Sequence, residues 1–150
     1  MAHVSPVLKF IPDSWLESAL KLKKPFQVSH ITGIKSPYAE AEGWFIGCPL
    51  TSKQMVELPE EFVMDRIIES GKIAQELGAK VVGLGAFTSI VGDAGITVAK
   101  NLDIAVTSGN SYTVATALEG TREAVRLMGK DLATAHVTIV GASGSIGAAC

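Results

Sequence analysis

Cysteine is scarce in this chain. The two residues among 150, Cys48 and Cys150, are too few for a disulfide framework and too far apart for metal-ligand spacing. That scarcity fits a reducing compartment. Aromatic residues make up only 6% of the chain, and 13 basic residues stand against 15 acidic ones. A near-balance of this kind leaves no basic stripe such as nucleic acid binding requires. Nowhere does an apolar run reach the roughly 18 residues of a membrane span. The opening MAHVSPVLKFIP is broken by prolines and a lysine before a signal-peptide core can form. The expected location is therefore the cytoplasm, with no nucleic acid partner and no transmembrane segment. What is present, 47% hydrophobic and 19% charged residues, is the composition of a globular domain with a sizeable core.

Glycine is plentiful, and its placement in HVTIVGASGSIG (136–147) organises the chain. A β-branched run breaks there into Gly141, Gly144 and Gly147 at three-residue spacing. This is the form of a strand feeding a phosphate loop: one glycine permits the tight turn, another lets backbone N–H groups approach a diphosphate, and the last allows helix and strand to pack closely. The following helix N-terminus would hold the anion with unpaired N–H groups and the positive end of its dipole. Against G-x-G-x-x-G the window starts with Ala142, with Gly141 just before it. The departure resembles the G-x-x-G-x-x-G loops of NADP-preferring reductases. Only Ala148, Ala149 and Cys150 follow Gly147, so the residue expected ~20 positions on to read the ribose 2′ position is not in this chain. The expectation is a piece of a longer protein.

The rest reads as alternating elements. Ser14 and Glu17 stand at capping-box spacing ahead of a short helix that Lys21, Lys23 and Lys24 crowd and Pro25 stops. FQVSHITGI (26–34) and GWFIGCPL (43–50) read as strands joined by a longish polar link with Pro37, Glu40 and Glu42. His30 shares a face with Phe26, Val28 and Thr32, where a buried or half-buried histidine is expected rather than a catalytic base. Cys48 has no His or acidic partner nearby in sequence and does not read as a nucleophile. Residues 59–77 carry Val63, Ile67, Ala74 and Leu77 at helical spacing, with Pro59 at the start and Gly78 at the stop.

KVVGL (80–84) and DIAVT (103–107) read as parallel strands of an α/β sheet. In open α/β sheets the loops at strand carboxyl ends line the ligand crevice. That marks GAFTSIVGDAG (85–95) and Ser108 to Ser111 as candidate site loops. Asn110 or Ser111 is placed to cap a helix over 112–128, which Gly129 ends and which turns Val114, Leu118, Ala124, Val125 and Met128 toward a core. The expected domains are a substrate lobe with its connecting helix (1–130) and the start of a nucleotide lobe (131–150), with the Asn110 loop in the cleft between them.

GLGAFTSIVGDAGITVAKNLDIAVTSGNSYTVATALEG, followed by VTIVGASGSIGAAC, resembles the NADPH-dependent, aldehyde-generating long-chain fatty acyl thioester reductases and their relatives named as predicted amino-acid dehydrogenases. More distantly the layout is similar to shikimate dehydrogenase. The resemblance implies an α/β, two-lobed dehydrogenase-like fold whose N-terminal substrate lobe leads into the first βα unit of a truncated Rossmann domain, with an acyl tunnel between the lobes. It implies NADP as cofactor and a fatty acyl thioester, on acyl carrier protein or coenzyme A, as partner. Gly141, Gly144 and Gly147 match cofactor positions, with Ala142, Ser143, Ser145 and Ile146 completing the loop. Ser108, Gly109, Asn110, Ser111 and Thr113 match a cleft loop; Phe87, Thr88 and Ser89 match a loop near substrate.

The family's acylated cysteine matches neither Cys48 nor Cys150, so no catalytic residue is assigned within the chain, and no metal. Donors near Asn110 and Thr88 would stabilise the charge developing on the carbonyl oxygen. The expected function is that of a fragment of an NADP-dependent reductase converting acyl thioester to aldehyde. The alternatives are a shikimate/quinate-type or amino-acid dehydrogenase, and a non-catalytic truncated module.

Overall fold

The computed structural model describes residues 12–150. It is a mixed α/β protein with five α-helices and two small sheets among the described residues. The chain divides into two compact units, one ending at Val106 and the other Thr107–Cys150. No helix among the described residues is long and apolar enough to cross a membrane.

The first unit is built on one long helix, α3 (Glu60–Glu76), after α1 (Asp13–Leu22), β1 (Phe26–Lys35), β2 (Glu40–Gly47) and α2 (Ser52–Glu57). The spacing that predicts α3 is the spacing it buries. Val63 is 0% and Ile67 2% exposed, and Met64 and Ala74 are buried beside them. Pro59 stands at its N-cap, and Glu60 and Glu61 fill its first turn, where carboxylates meet the positive end of the dipole. At the other end Gly78 takes φ +96, Ala79 N–H reaches the Ala74 carbonyl and Gly78 N–H that of Gln75, both at 3.0 Å. That pair of bonds is the Schellman closure that a glycine at this position permits.

α1 begins at Asp13, with Pro12 at its N-cap, so Ser14 lies inside the first turn and not at the cap expected of it. Pro25 ends the segment as predicted, and α1 is tied down from below. Gln54 of α2 donates to the Glu17 carbonyl at 2.7 Å, and Arg66 of α3 reaches the Lys21 carbonyl at 3.4 Å. α2 itself was not anticipated, although its signal is in the sequence: Thr51 and Gln54 form a reciprocal capping box.

β1 and β2 form an antiparallel hairpin. The link between them is much shorter than the expected one, because Glu40 and Glu42 belong to β2 and not to the connection. Both carboxylates are used across the strands: Glu40 pairs with Lys35 at 2.7 Å and Glu42 with His30 at 3.0 Å. His30 is exposed, not buried or half-buried as its neighbours in sequence imply. It stacks on its cross-strand partner Trp44, with ring centroids 5.3 Å apart. Alternation in sequence says which residues share a face, but not whether anything covers it.

The expected strands at 80–84 and 103–107 are present in shortened form as β3 (Val81–Gly83) and β4 (Ala105–Thr107), which pair with each other. Between them lie a 3-10 turn (Ala86–Ser89) and α4 (Ile96–Lys100). Met55, Val63, Met64, Ile67, Leu84 and Val98 form the core of this unit. The second unit carries α5 (Asn110–Leu127), which ends in the same closure as α3: Gly129 takes φ +65 and Lys130 N–H reaches the Val125 carbonyl at 3.1 Å. Of the residues expected to turn α5 toward a core, only Val125 is buried; Leu118, Ala124 and Met128 are exposed and Val114 is half-buried.

Replacing Ile67 with Ala should destabilise the first unit by about 3 kcal/mol, the sum of lost transfer energy and a residual cavity. Val56→Ala, at a first-unit side chain 69% exposed, should change stability by under about 0.5 kcal/mol. Urea unfolding followed by the fluorescence of Trp15 and Trp44, both in the first unit, measures the difference.

Candidate functional site

The glycine spacing at 141–147 acquires its physical reason in the backbone. Gly141 takes φ +82, a conformation that side chains disfavour. Its carbonyl accepts the Gly144 N–H at 2.9 Å and closes a turn. The chain then winds back so closely that a Cβ on Gly147 would collide with the Gly141 carbonyl oxygen and meet Ala142 Cα at 3.0 Å. No side chain can retreat from that contact, because the obstacle is main chain. Ala148 N–H donates to the Gly144 carbonyl at 2.9 Å and Cys150 N–H to that of Ile146 at 3.2 Å, the i to i+4 bonds of an α-turn.

Among the described residues, the N–H groups of Ala142, Ser143, Ser145, Ile146 and Gly147 have no intrachain acceptor. They precede or begin a helical turn, where backbone N–H groups lack intrahelical partners. The strand expected ahead of the loop is not formed. Residues 136–139 carry no regular structure, and Val140 is 96% exposed. A strand is defined by its ladder, and no described strand pairs with this run.

The second candidate segment lies in the same unit and meets the first. Gly109 takes φ +74 and is itself the N-cap of α5, so Asn110 and Ser111 occupy the first helical positions and do not cap it. The turn is held by hydroxyls: Thr107 Oγ1 accepts from Gly109 N–H at 3.1 Å, Ser108 Oγ from Asn110 N–H at 3.5 Å, and Thr113 Oγ1 donates to the Gly109 carbonyl at 3.1 Å. Ser111 is exposed. Relieved of capping, the Asn110 side chain is free to reach outward, and its Nδ2 donates to Ser145 Oγ at 2.9 Å. Two loops separated by 35 residues in sequence are thereby joined by one hydrogen bond.

Phe87, Thr88 and Ser89 lie in the first unit, in the 3-10 turn after β3. Their hydroxyls are occupied locally. Thr88 Oγ1 accepts from Gly85 N–H at 3.1 Å and donates to the Gly85 carbonyl at 2.7 Å, and Ser89 Oγ donates to the Ala86 carbonyl at 2.7 Å. The oxyanion role expected near Thr88 is therefore not available to its hydroxyl, whose one proton is already placed. Phe87 packs against the core. Ala86 and Ala94, at φ +50 and +58, are the non-glycine residues in left-handed conformation among the described residues, and they bracket this loop.

Asp93 holds the loop at its far end. Its carboxylate accepts Thr97 N–H at 3.0 Å and the Thr97 hydroxyl at 2.7 Å. The backbone bond above all, and the hydroxyl after it, hold the Asp93 carboxyl below the ordinary aspartate range. Cys48 shifts the other way: burial pushes its thiol up, against the pull of a hydrogen bond with Ser70. A thiol in that state is a poor nucleophile at neutral pH. Beside it, a groove of about 940 Å³ runs between β2 and β3 above α3. Among the described residues no cluster of three or more His, Cys, Asp or Glu is placed to hold a metal ion.

No family profile matches the chain. A curated relative, the aminotransferase PigE of Serratia sp. (strain ATCC 39006), is 33% identical over 108 residues, 72% of this chain. The match spans 12% of that relative's length.

Two measurements check the loop geometry. Gly147→Ala should displace amide resonances across residues 141–150 together with the Asn110 side-chain amide. Gly120→Ala, where a Cβ meets nothing within 4 Å, should leave them in place and stabilise α5 by roughly 1 kcal/mol. For Asp93, a depressed folded pKa means a contribution present above the unfolded value, about 3.9, and lost as pH falls through the lower folded value. An NMR titration of its carboxyl should give a midpoint below that of an ordinary aspartate, and Thr97→Val should raise it.

Proposed function

We propose that these residues form the substrate lobe and phosphate loop of an NADP-dependent reductase that converts a long-chain fatty acyl thioester to the aldehyde. The observation that carries the reading is the Asn110–Ser145 hydrogen bond, which joins the polar loop at the start of α5 to the glycine loop. Asn110 and Ser145 lie in the TSGNSYT and GASGSIG segments of the resemblance, identified separately in sequence.

The loop fits the diphosphate of a nicotinamide cofactor on its own geometry. Gly141 supplies the turn, Gly147 the close approach, and the unpaired N–H groups of Ala142, Ser143, Ser145, Ile146 and Gly147 the donors. Ser145 Oγ already accepts from Asn110, which leaves its own proton to donate to a phosphate oxygen. Fixing the Asn110 amide through one N–H leaves its Oδ1 and second N–H for substrate. When bound, NADPH supplies a hydride to the acyl carbonyl carbon.

The acyl group is held as a thioester on a cysteine of the longer polypeptide, formed as that thiolate displaces the carrier thiol. Asn110 Nδ2 is the donor this chain offers to the charge that develops on the carbonyl oxygen before the cysteine thiolate leaves and the aldehyde is released. The name of the Serratia relative belongs to a whole protein of which the aligned stretch is a small part. It supports the reading in one respect, that a stretch of this kind is built into a much larger protein. A cytoplasmic setting and an acyl carrier protein or coenzyme A partner belong to the same proposal.

A polypeptide carrying these 150 residues with its nucleotide lobe and cysteine should release long-chain aldehyde from an acyl thioester when NADPH is supplied. Gly144→Val should weaken NADPH binding by at least roughly a hundredfold, the loss of about two charge-assisted bonds at 1.5–3 kcal/mol each. Oxidation of shikimate or of an amino acid with NADP, without aldehyde from thioester, would transfer the site to the dehydrogenase alternative. Unchanged NADPH affinity in Gly144→Val would remove the loop from the cofactor altogether.

A further inference from the structure

Gly109 is the pivot that sets where the Asn110 amide starts, and glycine alone does not fix a pivot. Without a Cβ it visits positive and negative φ about equally, so the observed φ of +74 is selected by its surroundings. Two threonine hydroxyls make the selection, one from each side. Thr107 Oγ1, at the end of β4, accepts the Gly109 N–H at 3.1 Å, and Thr113 Oγ1, in the first turn of α5, donates to the Gly109 carbonyl at 3.1 Å. The same carbonyl accepts the Thr113 N–H at 3.0 Å. The two peptide groups that flank the Gly109 Cα are both tied, and its φ and ψ are the only rotations between them.

The Thr113 bond differs from its equivalents along the same helix. Thr116 and Thr121 also donate to carbonyls four residues back, those of Tyr112 and Ala117, at 3.1 and 2.8 Å. There the acceptor lies inside α5, and the hydroxyl only back-bonds to a peptide the helix already holds. At Thr113 the acceptor is the N-cap itself, a left-handed residue. Thr107 has no helix to back-bond to and reaches forward two residues to the same glycine.

We infer that Thr107 and Thr113 are positioning residues: by clamping both peptide groups of Gly109 they hold the Asn110 side chain against Ser145. The inference deepens the proposed function and rests on it for its catalytic consequence. The resemblance puts Thr113 in a cleft loop, but the one proton of its hydroxyl is already placed on the Gly109 carbonyl, so it acts through Asn110 and not as a donor to substrate. A displacement of about 1 Å at a positioned group costs roughly a hundredfold in rate. Asn110 Nδ2, 2.9 Å from Ser145 Oγ, is the group the clamp keeps from moving.

The test reads the Asn110 side chain of the 150-residue chain by NMR. Thr113→Val, at an exposed side chain, should abolish the NOE between the Asn110 side-chain amide and Ser145 and change the amide-to-α-proton couplings of Gly109, which report its φ. Thr113→Ser should keep both, and so should Thr121→Val, which removes an equivalent hydroxyl that does not touch Gly109. Should Thr113→Val fail to fold, Thr107→Val, which frees the other peptide group, decides on the same signals. Signals kept without the clamping hydroxyl, lost in Thr113→Ser, or lost equally in Thr121→Val overturn the inference. In the longer polypeptide Thr113→Val should lower kcat for aldehyde release between about ten- and a hundredfold and leave KM for the thioester unchanged, because Asn110 serves a charge present only in the transition state. An unchanged kcat beside a lost NOE overturns the positioning role. A wild-type polypeptide that forms no aldehyde overturns the proposed reductase instead, and the NMR signals still decide the clamp.

Discussion

One face of α3 carries the first unit. Val63, Ile67 and Ala74 leave water together because they lie on one stripe of the helix, and the hairpin, α2 and α4 are each in place by contact with it. Both ends of that helix are fixed by local chemistry, carboxylates and Pro59 at the start and the Gly78 closure at the stop. A helix with defined ends has a defined rotation, and rotation decides which residues face the core. Gly71 shows how tight the result is: a Cβ there would stand 2.5 Å from Leu102 Cδ1.

What could be read from sequence divides along the same line. Among signals complete within a few residues, the 3.6-residue period of α3, the glycines that end α3 and α5 and the three-residue glycine spacing were legible, whereas the caps expected of Ser14 and Asn110 were not formed and the Thr51–Gln54 box went unread. Each states a backbone or burial requirement that neighbours in sequence can satisfy. Features that depend on what lies across from a segment were not. His30 shares a face with apolar residues, yet Phe26, Val28 and Thr32 are exposed with it, and the ring pairs with Glu42 and Trp44. Residues 137–140 have the composition of a buried strand, and no described strand pairs with them. α5 has an apolar stripe of which only Val125 is buried.

The site residues divide in the same way. Sequence brought Asn110 forward as a cap, a local role, and its observed partner is Ser145, a remote one. The capping role is absent because Gly109 takes a left-handed conformation and is itself the N-cap, which releases the amide. Thr88 moved in the opposite direction, from an expected remote role to a local one, because its hydroxyl closes on Gly85 at both the N–H and the carbonyl. In each case the decisive fact is which backbone groups a side chain must satisfy before it can serve anything else.

That ordering sets the glycine loop apart from the other polar loops of the chain. A side chain that binds a ligand competes with its own backbone, as Thr88 does. A loop built from glycine, alanine and serine has little to compete with: its conformation is set by φ at Gly141 and by the absence of a Cβ at Gly147, both properties of the main chain. Among the described residues, the N–H groups between them other than that of Gly144 have no acceptor. Ser145 adds a side-chain hydrogen bond that reaches beyond the loop, and it does so as an acceptor, which leaves its own proton uncommitted to Asn110.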